Sequence, residues 1–171
     1  MKKLALLLVF VPVVLIGQDQ GDDRGYIVKV GDMCPDFDIE MPDGGKTSIK
    51  ELKGKVLMLQ FTASWCSVCR KEMPHIEDEI WKVYKDKGLA LYGIDRGESP
   101  EVTKAFAEKM KISYPLALDE DESIFQKFAL KKAGVTRNIL VDRTGRIVFL
   151  TRLFNKEEFE GLKNKIKELL E

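Results

Sequence analysis

The sequence predicts an α/β fold: a central mixed β-sheet flanked by helices and entered through an N-terminal β-hairpin. Three observations carry that expectation. Apolar runs of strand length alternate with segments of helical period through the middle of the chain. The runs are nearly unbroken, as in strands covered on both faces. A tight-turn signal then joins the last two runs into a hairpin ahead of a final helix. A length of 171 residues suits one such domain and is short for two.

Taken in order, residues 29–39 and 46–52 flank Pro42-Asp43-Gly44-Gly45, a turn joining two short strands. Val56-Leu57-Met58-Leu59-Gln60-Phe61 follows as the first long strand. After Cys69 the apolar positions Met73, Ile76, Ile80 and Val83 recur at helical spacing, with Pro74 expected to kink that helix by removing a hydrogen bond. Residues 89–94 form the second apolar run, and the crossover between the two should be parallel and right-handed. Ser99-Pro100-Glu101 is a helix start, cap then proline, with Val102, Ala105, Phe106 and Met110 as its stripe. Residues 138–141 and 147–150 pair around Asp142-Arg143-Thr144-Gly145. The last helix opens on Asn155 with Glu158 three residues on, a capping box, and Phe154 and Phe159 at the staple positions. Alternating strands and helices place helices on both faces of the sheet.

Composition excludes several classes. Hydrophobic residues make up 44%, ample for a core, so a disordered chain is excluded. Basic and acidic residues number 28 each, but Lys2 and Lys3 fall in the segment 1–17, which holds no acid. The remaining near-neutral body argues against sequence-independent nucleic-acid binding, which needs a basic face. Three cysteines are too few for a disulfide scaffold. Positions 1–17 read as a signal peptide or N-terminal anchor, a short basic start followed by an uncharged stretch over 4–17. That stretch falls short of the roughly 20 residues that span a membrane. Leu15 stands where a small residue is expected for cleavage after Gly17, so an uncleaved anchor stays open. Residues 18–25 are a polar linker and 26–171 the folded domain. Export places the chain where a disulfide can persist.

The chemistry sits in Trp65-Cys66-Ser67-Val68-Cys69-Arg70, at the first strand-to-helix junction. Two cysteines two residues apart can close a small ring. The first lies where unpaired N–H groups and the positive end of the helix dipole favour thiolate. Such sites lower a cysteine pKa from ~8.5 toward ~3.5–7.5. A thiolate at Cys66 can attack another protein's disulfide, and Cys69 can then resolve the mixed disulfide. Zinc ribbons share the spacing but need a second ligand pair. This chain offers Cys34 and His75 alone, and His75 lies roughly 240° round the helix from Cys69. No metal or cofactor is expected.

Gly31-Asp32, Pro35-Asp36-Phe37, the Leu52-Lys53-Gly54-Lys55 lead-in, the run from Gln60 through Trp65-Cys66 and Cys69-Arg70-Lys71-Glu72-Met73-Pro74, and Leu140-Val141-Asp142 with Gly145 resemble the TlpA/ResA group of thioredoxin-like proteins. The resemblance runs from about Val30 to Leu170. It implies a thioredoxin-like fold with a central βα insertion over residues 92–111, and a thiol–disulfide oxidoreductase of the bacterial envelope. It further implies that Cys66 is the nucleophile, Cys69 the resolving thiol, and Glu72 the acid that tunes their pKa. The implied partners are cysteine-containing envelope proteins as substrates and a membrane thiol-electron donor upstream. Contact with the membrane is expected only through an uncleaved N-terminal segment.

One departure stands out. Members of the group carry a cis-proline in the loop facing the cysteines, and here that position is Thr136. A cis bond before any other residue costs ~2.5–4 kcal/mol, so a trans bond is expected. Since the backbone at that loop normally pairs with bound peptide, Thr136 and Trp65 are the docking candidates. Two other classes stay open. A peroxiredoxin-like peroxidase would need Pro-x-x-x-Thr-x-x-Cys, but Thr62 lies four residues before Cys66 and has no such proline upstream. A thioredoxin-fold metal carrier of the Sco type would need C-x-x-x-C and a later histidine. Cys34 is expected as a buried free thiol and Arg137 as a surface residue.

Overall fold

The computed structural model describes residues 24–171. The expected export segment and all but the end of the linker lie outside the described residues.

Seven apolar or polar-alternating stretches become strands among these residues. β1 (Asp38–Glu40) and β2 (Lys46–Ser48) form a separate antiparallel pair, Ile39 opposite Thr47, around a turn where Gly44 takes φ +87°. They are shorter than the sequence suggests. Turn chemistry wins over residues 29–37: Asp32 accepts the Lys29 N–H, Gly31 takes φ +99°, and Pro35 has no N–H to give a ladder. The stretch instead runs as a loop, tied down by a bridge between Met33 and Arg146.

β3 (Val56–Thr62), β4 (Leu89–Arg96), β5 (Leu116–Asp119), β6 (Arg137–Val141) and β7 (Ile147–Arg152) form the main sheet in the order β5-β4-β3-β6-β7. β3 pairs parallel with β4, and β4 with β5, while β3–β6 and β6–β7 are antiparallel, so the sheet is mixed. Every residue of β3 is buried, as its central place and unbroken apolar run require. β5 carries no clear sequence signal, because Leu116-Ala117-Leu118 is too short a run to separate from loop.

The helices are α1 (Ser67–His75), which continues through a π-helical turn (Ile76–Trp81) into α2 (Lys82–Tyr84), then α3 (Pro100–Met110) and α4 (Lys156–Leu170). Pro74 does not break its helix. The wider turn follows at once, a common response where a backbone hydrogen bond is missing. The stretch 92–111 holds the rest of β4 and all of α3. Asn155 caps α4 by accepting the Glu158 N–H at 3.0 Å. Phe154 meets Phe159 edge-on, ring centres 5.4 Å apart, as the staple positions require. Glu158 does not return to the Asn155 N–H. Its carboxylate accepts from the Arg152 backbone and pairs with Arg24.

Alternation along β3 divides the core. Val56 and Met58 face a layer built from Met73, Ile76 and Ile80, Phe106 of α3, and Phe159, Leu162 and Ile166 of α4. Leu57, Leu59 and Phe61 face a second layer containing Phe37 and Ile39 of the N-terminal hairpin, together with Phe125 and Phe128 around a short 3-10 helix (Phe125–Lys127). The sheet is thus flanked unequally, the long helices sharing one face. Cys66 and Cys69 belong to the second layer, at the end of β3.

Candidate active site

β3 delivers the chain to the start of α1 through residues 63–66. Cys66 is the N-cap of α1, with extended backbone (φ −81°, ψ 105°), and its Sγ accepts the Cys69 N–H at 3.1 Å. A sulfur in this place takes up one of the orphan donors of the first turn, and that turn holds no acid to oppose the dipole. Cys66 and Cys69 are joined as a disulfide, their Cα atoms 5.3 Å apart, within the usual span of such a bridge. Their access differs: Cys66 keeps 7% of its surface and Cys69 none.

The approach to Cys66 is held on both sides. Glu98, in the loop after β4, accepts the N–H and the hydroxyl of Ser64, each at 2.6 Å. Arg70 donates to the Ser64 carbonyl at 2.6 Å. Trp65, between the braced Ser64 and Cys66, stands out with 62% of its surface exposed, so it is not core packing. Nothing in the sequence marks Glu98 for this role, since the contact spans 34 residues.

Thr136 approaches from the loop before β6. Its Oγ1 lies 3.2 Å from the Cys66 sulfur and 3.3 Å from the Cys69 sulfur, and only 2% of the residue is exposed. Its carbonyl is already taken by the Leu153 N–H and by Arg152 Nη1, both at 3.1 Å. Thr136, a peptide-docking candidate by sequence, turns its side chain inward onto the sulfurs, and its carbonyl holds two hydrogen bonds. All described peptide bonds are trans. The neighbouring carbonyls are also held: Arg96 donates to those of Lys131 and Ala133, and Arg137 Nε to that of Gly134. Arg137 is therefore no surface residue. It is fully buried opposite Phe61 in β3, its guanidinium 4.3 Å from the centre of the Tyr26 ring, within cation–π range.

Glu72, one turn past Cys69, is 1% exposed, which rules out the solvated carboxylate its sequence position allows. Asn138 donates to it at 2.7 Å and Gln60 at 3.5 Å, while Tyr114 donates to Gln60 at 2.7 Å. Burial pushes its carboxyl up to about 7, against the pull of the two amide donors. Gln60 and Asn138 face each other across β3 and β6. Each is a polar residue inside an otherwise apolar strand, and that is the sequence signal for a buried polar role. Asp95, buried and bonded to the Thr103 hydroxyl at 2.6 Å, is also raised to about 7, by burial and then by Glu98.

The remaining candidates fall away from the disulfide. Cys34 is a free thiol, half-buried where the sequence suggests a buried one; partial burial, with Asp36 adding, pushes its pKa up to about 12, so thiolate is scarce there. His75 pairs with Glu79 at 2.8 Å and sets its ring at a tilt against Phe154, centres 5.0 Å apart. Among the described residues no group of three or more His, Cys, Asp or Glu is placed to hold a metal ion.

A mixed sheet that presents a closed two-cysteine pair at a helix start defines a thioredoxin-fold dithiol–disulfide centre. Residues 30–150 match the AhpC/TSA family, and the chain is 30% identical to the thiol-disulfide oxidoreductase ResA of Bacillus anthracis over 140 residues, 81% of this chain and 79% of that one. The chain belongs to the AhpC/TSA family, among its ResA-like thiol-disulfide oxidoreductases. Its fold is similar to a solution structure from Bacteroides thetaiotaomicron described as a candidate protein disulfide isomerase, at 56% identity and TM-score 0.83, covering 85% of this chain and 92% of that one. It is also similar to the thioredoxin domain of a thiol-disulfide oxidoreductase from Bacteroides vulgatus, at 25% identity and TM-score 0.71, covering 84% and 99%.

Proposed function

We propose that this chain is an exported reductase that opens disulfides in cysteine-containing envelope proteins, with Cys66 as nucleophile and Cys69 as resolving thiol. The observation that carries the reading is the unequal access of the pair at the start of α1. Cys66 meets solvent and its sulfur receives a helix N–H, while Cys69 is sealed behind it. In the forward reaction the Cys66 thiolate attacks one substrate sulfur and the other leaves as thiolate. Cys69 then attacks Cys66, freeing the second substrate thiol and closing the Cys66–Cys69 disulfide. A thiol donor held at the membrane restores the dithiol. Trp65, exposed beside Cys66, supplies apolar surface to the bound substrate. Export rests on the basic start and uncharged stretch within positions 1–17.

The peroxidase alternative loses support at Thr62, whose hydroxyl donates to the Met73 sulfur at 3.5 Å inside the core. The reduced protein, freed of excess reductant, should open a stoichiometric amount of disulfide in a protein substrate such as insulin. With hydrogen peroxide in place of that substrate, oxidation of Cys66 should be no faster than for an ordinary thiolate. Rapid peroxide turnover dependent on Cys66 would put the peroxidase first.

A further inference from the structure

We propose that Thr136 is a catalytic residue of the exchange reaction, its hydroxyl donating a hydrogen bond to whichever sulfur of the pair carries negative charge. The inference deepens the function proposed above and rests on Cys66 as the attacking sulfur. The hydroxyl lies 3.2 Å from Cys66 Sγ and 3.3 Å from Cys69 Sγ. Within the disulfide neither sulfur has a proton, so the hydroxyl is the donor, its single proton directed to either sulfur or shared between them.

Its position is fixed by the surrounding backbone. The Thr136 carbonyl is held by Arg152 and by the N–H of Leu153. Leu153 itself takes φ +65°, a left-handed conformation uncommon for residues other than glycine. Gly134 leaves the room that the Arg152 guanidinium occupies, since a Cβ there would collide with it. Thr136 and both cysteines are nearly or wholly buried, so the bond forms where solvent screens little. A proline here, as in the group the sequence resembles, would offer no donor.

The chemistry uses the hydroxyl twice. In the reduced protein the Cys66 thiolate receives the Cys69 N–H and the Thr136 O–H, and hydrogen bonds to charged sulfur exceed those to neutral sulfur. That thiolate attacks the substrate disulfide, one substrate sulfur leaves with the electron pair, and Cys69 displaces the second. In the return half-reaction a donor thiolate attacks Cys66. The Cys66–Cys69 bond breaks and its electron pair goes to Cys69. The Thr136 hydroxyl, 3.3 Å from that sulfur, meets the charge that appears there. A second donor thiol then releases Cys66, so two electrons enter and the dithiol is restored.

Thr136→Val keeps the shape and removes the donor, whereas Thr136→Ser keeps the donor. Thiolate absorbance titration of the reduced protein should show the Cys66 pKa raised by about one to two units in the Val variant. The glutathione equilibrium of the Val variant should move toward the disulfide by roughly ten-fold. The Ser variant should titrate within a few tenths of a unit of wild type. A Val variant titrating like wild type, or a Ser variant shifted as far as Val, would overturn the assignment. Should Cys66→Ser keep its disulfide reductase activity, the underlying reading fails instead, whatever Thr136 does.

Discussion

Cys66→Ser should lose disulfide reductase activity altogether, while Cys69→Ser should lose turnover but accumulate a stable mixed disulfide with its substrate. The difference follows from position. Cys66 is the cysteine of the pair that solvent reaches, and it caps α1 with the Cys69 N–H at 3.1 Å. It is therefore both accessible and favoured as thiolate. Cys69 has no exposed surface and can act only on a partner already attached to Cys66. The loss in the first variant is of the nucleophile itself, so no residual exchange above the uncatalysed thiol rate is expected. Non-reducing gels and mass spectrometry of the Cys69→Ser protein mixed with a disulfide substrate should show one substrate covalently bound through Cys66. Full activity in Cys66→Ser, or trapping in that variant in place of Cys69→Ser, would reverse the roles.

Glu72→Gln should change both the pH profile of stability and the titration of the thiols. An ordinary glutamate titrates near 4.5, and burial raises this one to about 7. Between those values the folded protein holds a proton that the unfolded chain has lost. Stability should therefore fall as pH rises from about 4.5 to about 7 and level off above. The span corresponds to at most about 3 kcal/mol. Urea unfolding at pH 5 and pH 8 should show a smaller loss in Glu72→Gln than in wild type. Asp95 accounts for part of what remains, since it too is raised to about 7. Once ionised, Glu72 adds negative charge one turn from Cys69 and disfavours thiolate. In the Gln variant the apparent thiol pKa should therefore fall, and the reduction potential should become less negative, most visibly above pH 7. Equal stability slopes and an unchanged thiol titration would leave Glu72 a purely structural residue.

The parts of the fold that can be read in the sequence are those fixed by local pattern. The unbroken run 56–61 declares a strand covered on both faces, Asn155 and Glu158 declare a helix start, and Asp142 to Gly145 declares a hairpin turn. What escapes depends on contacts distant in sequence. β5 is a short apolar run whose strand form exists only beside β4. The long helices share one face because the opposite layer is filled by Phe37, Ile39, Phe125 and Phe128, from segments with little helical pattern. At the site, the cysteine pair is legible from its spacing at a helix start, and Glu72 through the resemblance to the TlpA/ResA group. Gln60 and Asn138 stand out as polar residues in apolar strands, but their meeting at Glu72 depends on the register of β3 against β6, and Glu98 arrives from a loop 34 residues from Ser64. Thr136 is legible as a departure from a familiar pattern; that its hydroxyl, rather than its backbone, faces the cysteines requires coordinates.

The reduction potential of the Cys66–Cys69 couple tests the central claim most directly. Equilibration of the protein at pH 7 with defined ratios of reduced and oxidised glutathione, extended with dithiothreitol at the reducing end, followed by quantification of free thiol, gives that value. A reductase with a buried acid one turn along α1 from Cys69 should poise near thioredoxin, about −270 mV. A value near that of the oxidant DsbA, about −120 mV, would mean that electrons run the other way, and that this protein makes disulfides in its partners and does not open them.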